Sequence, residues 1–97
     1  MLLLKWGALR AANGHPKPFN LKYLEIGNEN GTSVYNERWA LMVNAIKAKY
    51  PDIMLIANEW SGGHPSNPKP EIVDEHYYNN PDWFIGNSNL YDSYDRK

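Results

Sequence analysis

The sequence has 97 residues, 42% of them hydrophobic, and a formal net charge of −1. A charge so close to zero favours neither nucleic acid nor an anionic membrane as a partner, and no apolar run approaches the length of a membrane span. The absence of cysteine excludes disulfides and thiolate chemistry. The apolar run at residues 1–4 is too short for a signal peptide, so secreted, periplasmic and cytoplasmic locations all stay open.

Residues 1–12 mix apolar and basic positions and predict a short helix with Leu2, Trp6 and Leu9 on one face. The Asn-Gly pair that follows tolerates the left-handed conformation with which many helices end. Two prolines come within the next four residues. They require an extended loop, because proline lacks an N–H donor and restricts the residue before it.

Residues 21–29, which read LKYLEIGNE, predict a short buried strand that runs directly into Gly27, Asn28 and Glu29. Glycine allows a close approach to the backbone, and the two residues after it place an amide beside a carboxyl at the strand end. In α/β barrels the strand ends carry the chemistry. The alternative is an ordinary solvent-exposed turn, because polar residues dominate connections.

Residues 34–50 predict the clearest helix, which Thr32 or Ser33 can cap and which Pro51 stops. Its apolar positions recur at helical spacing and predict a face packed against a sheet. That face consists of Tyr35, Trp39, Val43, Ile46 and Tyr50. Residues 53–57 follow as an uninterrupted apolar run, typical of a parallel strand covered on both faces. Strand, helix and strand together predict a right-handed βαβ unit.

A third strand is predicted over residues 72–78. Its period of two places Asp74, His76 and Tyr78 on one face and the intervening residues on the other. Residues 79–97 are polar and aromatic, and they predict a loop with a short helix near its start.

Two stretches, GHPKPFNLKYLEIGNENG at residues 14–31 and IVDEHYYNNPDWF at residues 72–84, resemble the α-L-arabinofuranosidases of glycoside hydrolase family 51. These are retaining glycosidases of clan A. The resemblance implies an α/β fold that belongs to a (β/α)8 TIM barrel. A whole barrel needs about 250 residues, so residues 1–97 are expected to be part of one catalytic barrel domain, with its parallel strands four to six and the intervening helices.

The resemblance also implies roles for residues at these strand ends. Glu29 would be the general acid/base, and Asn28 would hydrogen-bond a sugar hydroxyl next to the anomeric carbon. His76 and Tyr78 would bind substrate close to the nucleophile, with the Tyr78 hydroxyl orienting that nucleophile. For His76 and Tyr78, ordinary packing of large side chains inside a barrel is the alternative.

The resemblance places the nucleophile on the next strand, so no residue of this chain is expected to supply it. Glu59 forms a second Asn-Glu pair after the middle strand, but the family does not place its nucleophile there, and Glu59 is expected to be dispensable. Retention needs two carboxyl groups about 5–5.5 Å apart. The chain alone is therefore expected to be inactive, and the open edges of its sheet predict poor folding.

No cofactor is expected, and no metal site. His64, Asp74, Glu75 and His76 are ligand types, but their spacing fits no compact zinc pattern, and alternation separates Glu75 from His76. The expected partner is an arabinofuranosyl-containing oligosaccharide or polysaccharide. The oligomeric state stays open, a homo-oligomer included.

The function predicted is the release of terminal non-reducing α-L-arabinofuranosyl residues from plant polysaccharides by a longer protein that contains this chain. One alternative is another clan A glycosidase, of the xylosidase or glucanase type, because the Asn-Glu strand end is shared across the clan. The other is a non-catalytic carbohydrate-binding remnant, which binding of arabino-oligosaccharides by the chain itself would support.

Overall fold

The computed structural model describes residues 4–60 and 63–94, which form three helices and three strands. In chain order these elements are α1 (Lys5–Ala12), β1 (Tyr23–Ile26), α2 (Ser33–Lys49), β2 (Met54–Glu59), β3 (Ile72–Glu75) and α3 (Pro81–Gly86). The strands make one parallel sheet in the order β1-β2-β3. The α/β class with parallel strands is therefore confirmed.

The register of the sheet brings the three strand ends to one edge. Ala57 in β2 is paired with Ile26 in β1 and with Val73 in β3. Because all strands run the same way, the residues that follow them lie side by side. We call this the C-terminal edge of the sheet, and the opposite one the N-terminal edge.

Two strands are shorter than the sequence indicates. β1 covers four of the nine residues in 21–29, and it ends because Gly27 turns the chain with a φ of +96°. β3 covers four of the seven residues in 72–78. It ends where its partner ends, since Glu59 and Glu75 are the last paired residues. β2 runs two residues past the predicted range 53–57.

The core lies between α2 and the sheet face that it covers. Trp39 is 1% exposed, and Leu55 and Ala57 in the central strand are fully buried. The Trp39 ring meets that of Tyr35 edge to face at 6.3 Å, and its Nε1 donates to the Pro68 carbonyl at 2.8 Å. Full burial of one large apolar side chain contributes about 1.5–3 kcal/mol, so this layer supplies much of the stability.

Three expectations about the helices need correction or qualification. Tyr50 lies outside the core, 55% exposed, because α2 ends one residue earlier. Thr32 is the N-cap of α2, but its side chain makes no capping hydrogen bond. The apolar face predicted for the first helix is exposed at Trp6 and Leu9, and Leu2 lies outside the described residues.

Among the described residues, the second face of the sheet is exposed at β1. Tyr23 and Glu25 point to this side in β1 and are exposed. The short helix α3 follows β3, and the Asn80 side chain caps it by accepting from the Trp83 N–H at 2.9 Å. Within residues 4–60 and 63–94, no helix is long and apolar enough to cross a membrane.

Candidate active site

Glu29 stands just beyond β1, at the C-terminal edge of the sheet. Its backbone has a φ of +53°, a left-handed conformation that costs an L-residue about 1–2 kcal/mol. Its side chain is 40% exposed. A glutamate held in this conformation at a strand end is typical of a functional position, because strain of this kind persists only where the surroundings impose it.

A buried polar group holds the loop that carries Glu29. The Tyr35 hydroxyl donates to the Ile26 carbonyl at 2.6 Å and accepts from the Asn58 N–H at 3.2 Å. The Asn58 amide nitrogen in turn donates to the Asn30 carbonyl at 3.2 Å. These bonds link the last residue of β1, the loop after it and the end of β2. Because Tyr35 belongs to α2, they also attach this loop to that helix.

Gly27 is the point at which this loop is most crowded. A Cβ at Gly27 would overlap the Asn30 side-chain oxygen and would lie 3.1 Å from Oδ1 of Asn58. That Oδ1 is buried and has no hydrogen-bond partner among the described residues. The Asn30 oxygen also accepts from the Asn28 N–H at 2.7 Å. Glycine is therefore required here both by its positive φ and by space.

Two of the predicted site residues converge on one oxygen of Glu29. The Tyr78 hydroxyl donates to Oε1 at 2.6 Å, and Nδ1 of His76 lies 3.8 Å from the same oxygen. The hydrogen bond to Glu29 raises the pKa of Tyr78 above its ordinary value. The role predicted for Tyr78 concerns a nucleophile that is expected to lie outside this chain; within the described residues its hydroxyl donates to Glu29.

His76 has a second carboxylate on its other ring nitrogen. Nε2 lies 2.9 Å from Oδ2 of Asp74, and this hydrogen bond is the main cause of the raised pKa of His76. Burial and the nearby Asp74 raise the pKa of Glu25 as well. Ligand-type atoms of Glu25, Asp74 and His76 lie within 4.8 Å of one another, but the direct pairing of Asp74 with His76 accounts for the contact, and we assign no metal.

Trp60 is a site residue that the sequence analysis missed. Its ring meets His76 at 6.2 Å and Tyr78 at 5.6 Å, edge to face in both cases. Its carbonyl oxygen would lie 3.2 Å from a Cβ at Gly31. Trp60 therefore packs the loop after β1 against the two side chains that contact Glu29. The signal was available, as an aromatic residue directly after a strand end.

Asn28 and Glu59 differ in the partners of their side chains. The Asn28 side chain makes no hydrogen bond to a described residue, which leaves its amide free for a ligand. Glu59 is paired with His64, whose Nδ1 lies 2.9 Å from Oε2. The structure thus does not bring Glu59 into contact with Glu29 or with its partners.

Glu75 points to the other face of β3, as alternation predicts. Its carboxylate accepts hydrogen bonds from Tyr77, Tyr91 and Tyr94 at 2.9, 2.7 and 3.1 Å. Burial acts to raise the pKa of Glu75, but these three hydrogen bonds outweigh it and leave the pKa below its ordinary value. Glu75 therefore ties the segment after α3 to the sheet and faces away from His76.

Known proteins resemble this chain over nearly its whole length. The family model of the alpha-L-arabinofuranosidase 1 domain matches residues 3–96. The extracellular exo-alpha-L-arabinofuranosidase of Streptomyces chartreusis is 44% identical over 95% of this chain, which corresponds to 12% of that protein. Alpha-L-arabinofuranosidase A of Aspergillus kawachii is 42% identical over 94% of the chain and 15% of its own length.

A solved structure agrees with these matches. The arabinose-bound MgGH51 α-L-arabinofuranosidase superposes with a TM-score of 0.77 and 36% sequence identity, over 97% of this chain and 15% of that one. The chain thus spans 12–15% of the length of these relatives. Sequence and structure agree on the family: the chain belongs to the α-L-arabinofuranosidases of glycoside hydrolase family 51.

Proposed function

We propose that this chain is a segment of a longer retaining α-L-arabinofuranosidase and that it supplies the general acid/base, Glu29. The observation that carries the proposal is the convergence of Tyr78 and His76 on Oε1 of Glu29 at the C-terminal edge of a parallel sheet. Carboxyl ends of strands are where barrel enzymes place their chemistry. The names of the relatives support arabinofuranosides as the substrate class.

The proposed reaction uses Glu29 twice. In the first step a nucleophilic carboxylate attacks the anomeric carbon, and Glu29 gives its proton to the glycosidic oxygen as that bond breaks. In the second step the Glu29 carboxylate takes a proton from water, whose oxygen displaces the enzyme carboxylate and leaves the sugar with its original configuration. The nucleophile is proposed to come from the remainder of the longer protein, as is the rest of the (β/α)8 barrel.

Asn28 is proposed to bind the sugar next to the reacting carbon. Its side-chain amide is free of bonds to the described residues and is the immediate neighbour of Glu29. An amide can both donate to and accept from sugar hydroxyls. His76 and Tyr78 are proposed to complete this side of the site, and the 73% exposure of Tyr78 leaves its ring open to a substrate.

The test uses the full-length protein and the variant Glu29→Ala. Two substrates are compared: 4-nitrophenyl α-L-arabinofuranoside, whose leaving group needs no proton, and an arabino-oligosaccharide, whose leaving group does. We expect a loss of about 10²–10⁴-fold on the oligosaccharide, the usual scale of general acid catalysis, and a much smaller loss in the first step on the aryl substrate. Azide should restore turnover of the aryl substrate by replacing activated water.

The matched control is Glu59→Gln, which removes the carboxylate of the other Asn-Glu pair. We expect this variant to keep both activities near those of the parent, because Glu59 is paired with His64 and does not contact Glu29. Equal losses on both substrates in Glu29→Ala, without azide rescue, would contradict the assignment. Faster cleavage of an aryl xyloside or glucoside by the parent would instead favour another clan A glycosidase.

A further inference from the structure

His76 lies between two carboxylates, one on each ring nitrogen. Asp74 Oδ2 is 2.9 Å from Nε2, and Glu29 Oε1 is 3.8 Å from Nδ1. An imidazole that donates from Nε2 to a carboxylate has its ring orientation set by that bond, and in its protonated form it directs Nδ1–H toward Glu29. The contact between His76 and Asp74 therefore decides which nitrogen faces Glu29.

The other groups around His76 reinforce this arrangement. Glu25 reaches it from β1, with its carboxylate within 4.8 Å of the ligand atoms of both Asp74 and His76. The Trp60 ring meets the imidazole edge to face at 6.2 Å, which limits how far the ring can tilt. Among the described residues, the charged groups that face His76 are thus three carboxylates: Glu25 from β1, Glu29 from the loop after β1 and Asp74 from β3.

The two oxygens of Glu29 are not equivalent. Tyr78 donates to Oε1, and His76 approaches the same Oε1. Oε2 has no hydrogen-bond partner among the described residues. The contacts therefore anchor one oxygen and leave the other available for proton transfer.

From these contacts we infer that Asp74 is a positioning residue for the proposed reaction: it holds His76 with Nδ1 toward Glu29, so that Oε1 is fixed and Oε2 transfers the proton. The inference rests on the proposed function, since it needs Glu29 to be the acid/base. The same contact has an electrostatic effect. Because Asp74 raises the pKa of His76, the imidazole keeps its positive charge to higher pH and stabilises the carboxylate that Glu29 becomes after proton transfer.

Two substitutions in the full-length protein separate the geometric effect from the electrostatic one. Asp74→Ala removes the anchor of the ring. We expect kcat on an arabino-oligosaccharide to fall about tenfold or more, because a misplacement of about 1 Å can cost 10²-fold. KM should stay near the parent value. On 4-nitrophenyl α-L-arabinofuranoside the first step should be slowed far less, since that leaving group needs no proton.

Asp74→Asn keeps an acceptor of the same shape but loses the charge. We expect this variant to keep most of its kcat at low pH. In the pH profile of kcat on the oligosaccharide, the high-pH limb should move to lower pH. The reason is that His76 loses its proton earlier when no carboxylate raises its pKa. Asp52→Ala and Asp52→Asn are the controls, because Asp52 is exposed in the turn before β2 and should leave both readouts unchanged.

The outcomes distinguish the inference from the proposed function. A selective loss in Asp74→Ala together with a shifted limb in Asp74→Asn supports the inference. Equal losses on both substrates, or a limb in Asp74→Asn that coincides with the parent, would overturn it. If Asp74→Ala does not fold, the limb of Asp74→Asn decides alone. The leaving-group pattern of Glu29→Ala tests the proposed function separately, since that variant leaves Asp74 in place.

Discussion

The carboxylates at the two edges of the sheet have different kinds of partners. At the N-terminal edge, Glu71 is paired with Lys47, and its second oxygen accepts from the Leu55 N–H at 3.1 Å. Lys47 also donates to the Ile53 carbonyl at 2.6 Å. The ion pair thus joins α2 and β2 to the start of β3 and leaves neither oxygen of Glu71 free for a ligand.

At the C-terminal edge, Glu29 has no lysine or arginine partner among the described residues. Its contacts are a neutral hydroxyl and an imidazole, both on one oxygen. A lysine holds the pKa of Glu71 below its ordinary value, which suits a permanently charged structural group. A group that must take up and release a proton is better served by neutral or titratable neighbours.

The backbone conformation also differs between the two edges, and it is the less favourable one at the C-terminal edge. Tyr50 to Ile53 make an ordinary turn before β2, with an Ile53 N–H that donates to the Tyr50 carbonyl at 3.3 Å. The loop after β1 instead has positive φ at Gly27, at Glu29 and at Thr32. The N-terminal edge thus stabilises the sheet, whereas the C-terminal edge holds a carboxylate in an unfavourable backbone conformation at a cost in stability.

The largest expected effect comes from Gly27→Ala, which attacks the strained edge directly. The new Cβ would overlap the Asn30 side-chain oxygen and would add the cost of a positive φ, about 1–2 kcal/mol. We expect the loop to shift, and kcat of the full-length protein on oligosaccharides to fall about 10²-fold, because such activity depends on placement within about 1 Å. Kinetics and urea unfolding measure the two effects.

Gly14→Ala is the matched control for this substitution. Gly14 also has a positive φ, +89°, but a Cβ there meets nothing within 4 Å. The control therefore carries the conformational cost without the overlap and lies far from the site in the sequence. Activity lost equally in both variants would show that crowding at Gly27 does not position Glu29.

Tyr35→Phe should have the next largest effect, because it removes the hydroxyl that joins the core to the loop. The Ile26 carbonyl loses its donor and the Asn58 N–H loses its acceptor, and each unsatisfied buried group costs about 1–3 kcal/mol. Tyr50→Phe is the control, with an exposed hydroxyl that bonds no described residue. The urea midpoint of Tyr35→Phe should lie clearly below that of Tyr50→Phe. Indistinguishable midpoints would mean that water replaces the lost hydrogen bonds.

Much of this fold could be predicted because its signals are local and repeated. The apolar positions of α2 recur at helical spacing, and the run before Asn58 is uniformly apolar, so helix, strand and their packing follow from pattern alone. The placement of Asp74 and His76 on one side also follows, since alternation over the predicted strand at residues 72–78 puts both on one face. Tyr50 was wrongly assigned to the core because the pattern continues one residue past the end of the helix.

The finer parts of the candidate site could not be predicted, because they depend on contacts between distant segments. No local signal indicates that Glu29 adopts a positive φ, or that Tyr78 reaches it across 49 positions of sequence. Asn58 reads as a turn residue, yet it is fully buried and bonds the loop after β1. Trp60 is recognisable as an aromatic residue directly after a strand end, but only the fold shows that its ring meets His76.

Lys47→Met gives the smallest expected effect and tests the stabilising edge. The lost ion pair is partly exposed, so solvent screening limits its contribution, and we expect the free energy of unfolding to fall by about 1 kcal/mol at neutral pH, the charged bond to Ile53 included. Lys49→Met, in the same last turn of α2, should change the free energy of unfolding less. Among the described residues the Lys49 ammonium forms neither an ion pair nor a hydrogen bond, and it lies 5.5 Å from the exposed Tyr50 ring. Activity at the other edge should be unchanged in both.

The difference in unfolding free energy between the parent and Lys47→Met depends on pH through Glu71. Lys47 lowers its pKa in the folded state relative to the ordinary value of 4.5, so the unfolded chain binds the proton more tightly. The stabilisation is therefore complete above about pH 4.5 and is lost as the pH falls through the lower folded pKa. We expect the gap in unfolding free energy between parent and Lys47→Met to narrow toward acid. A gap that is constant from neutral to acid pH would assign the effect to the Ile53 bond alone, because that carbonyl does not titrate.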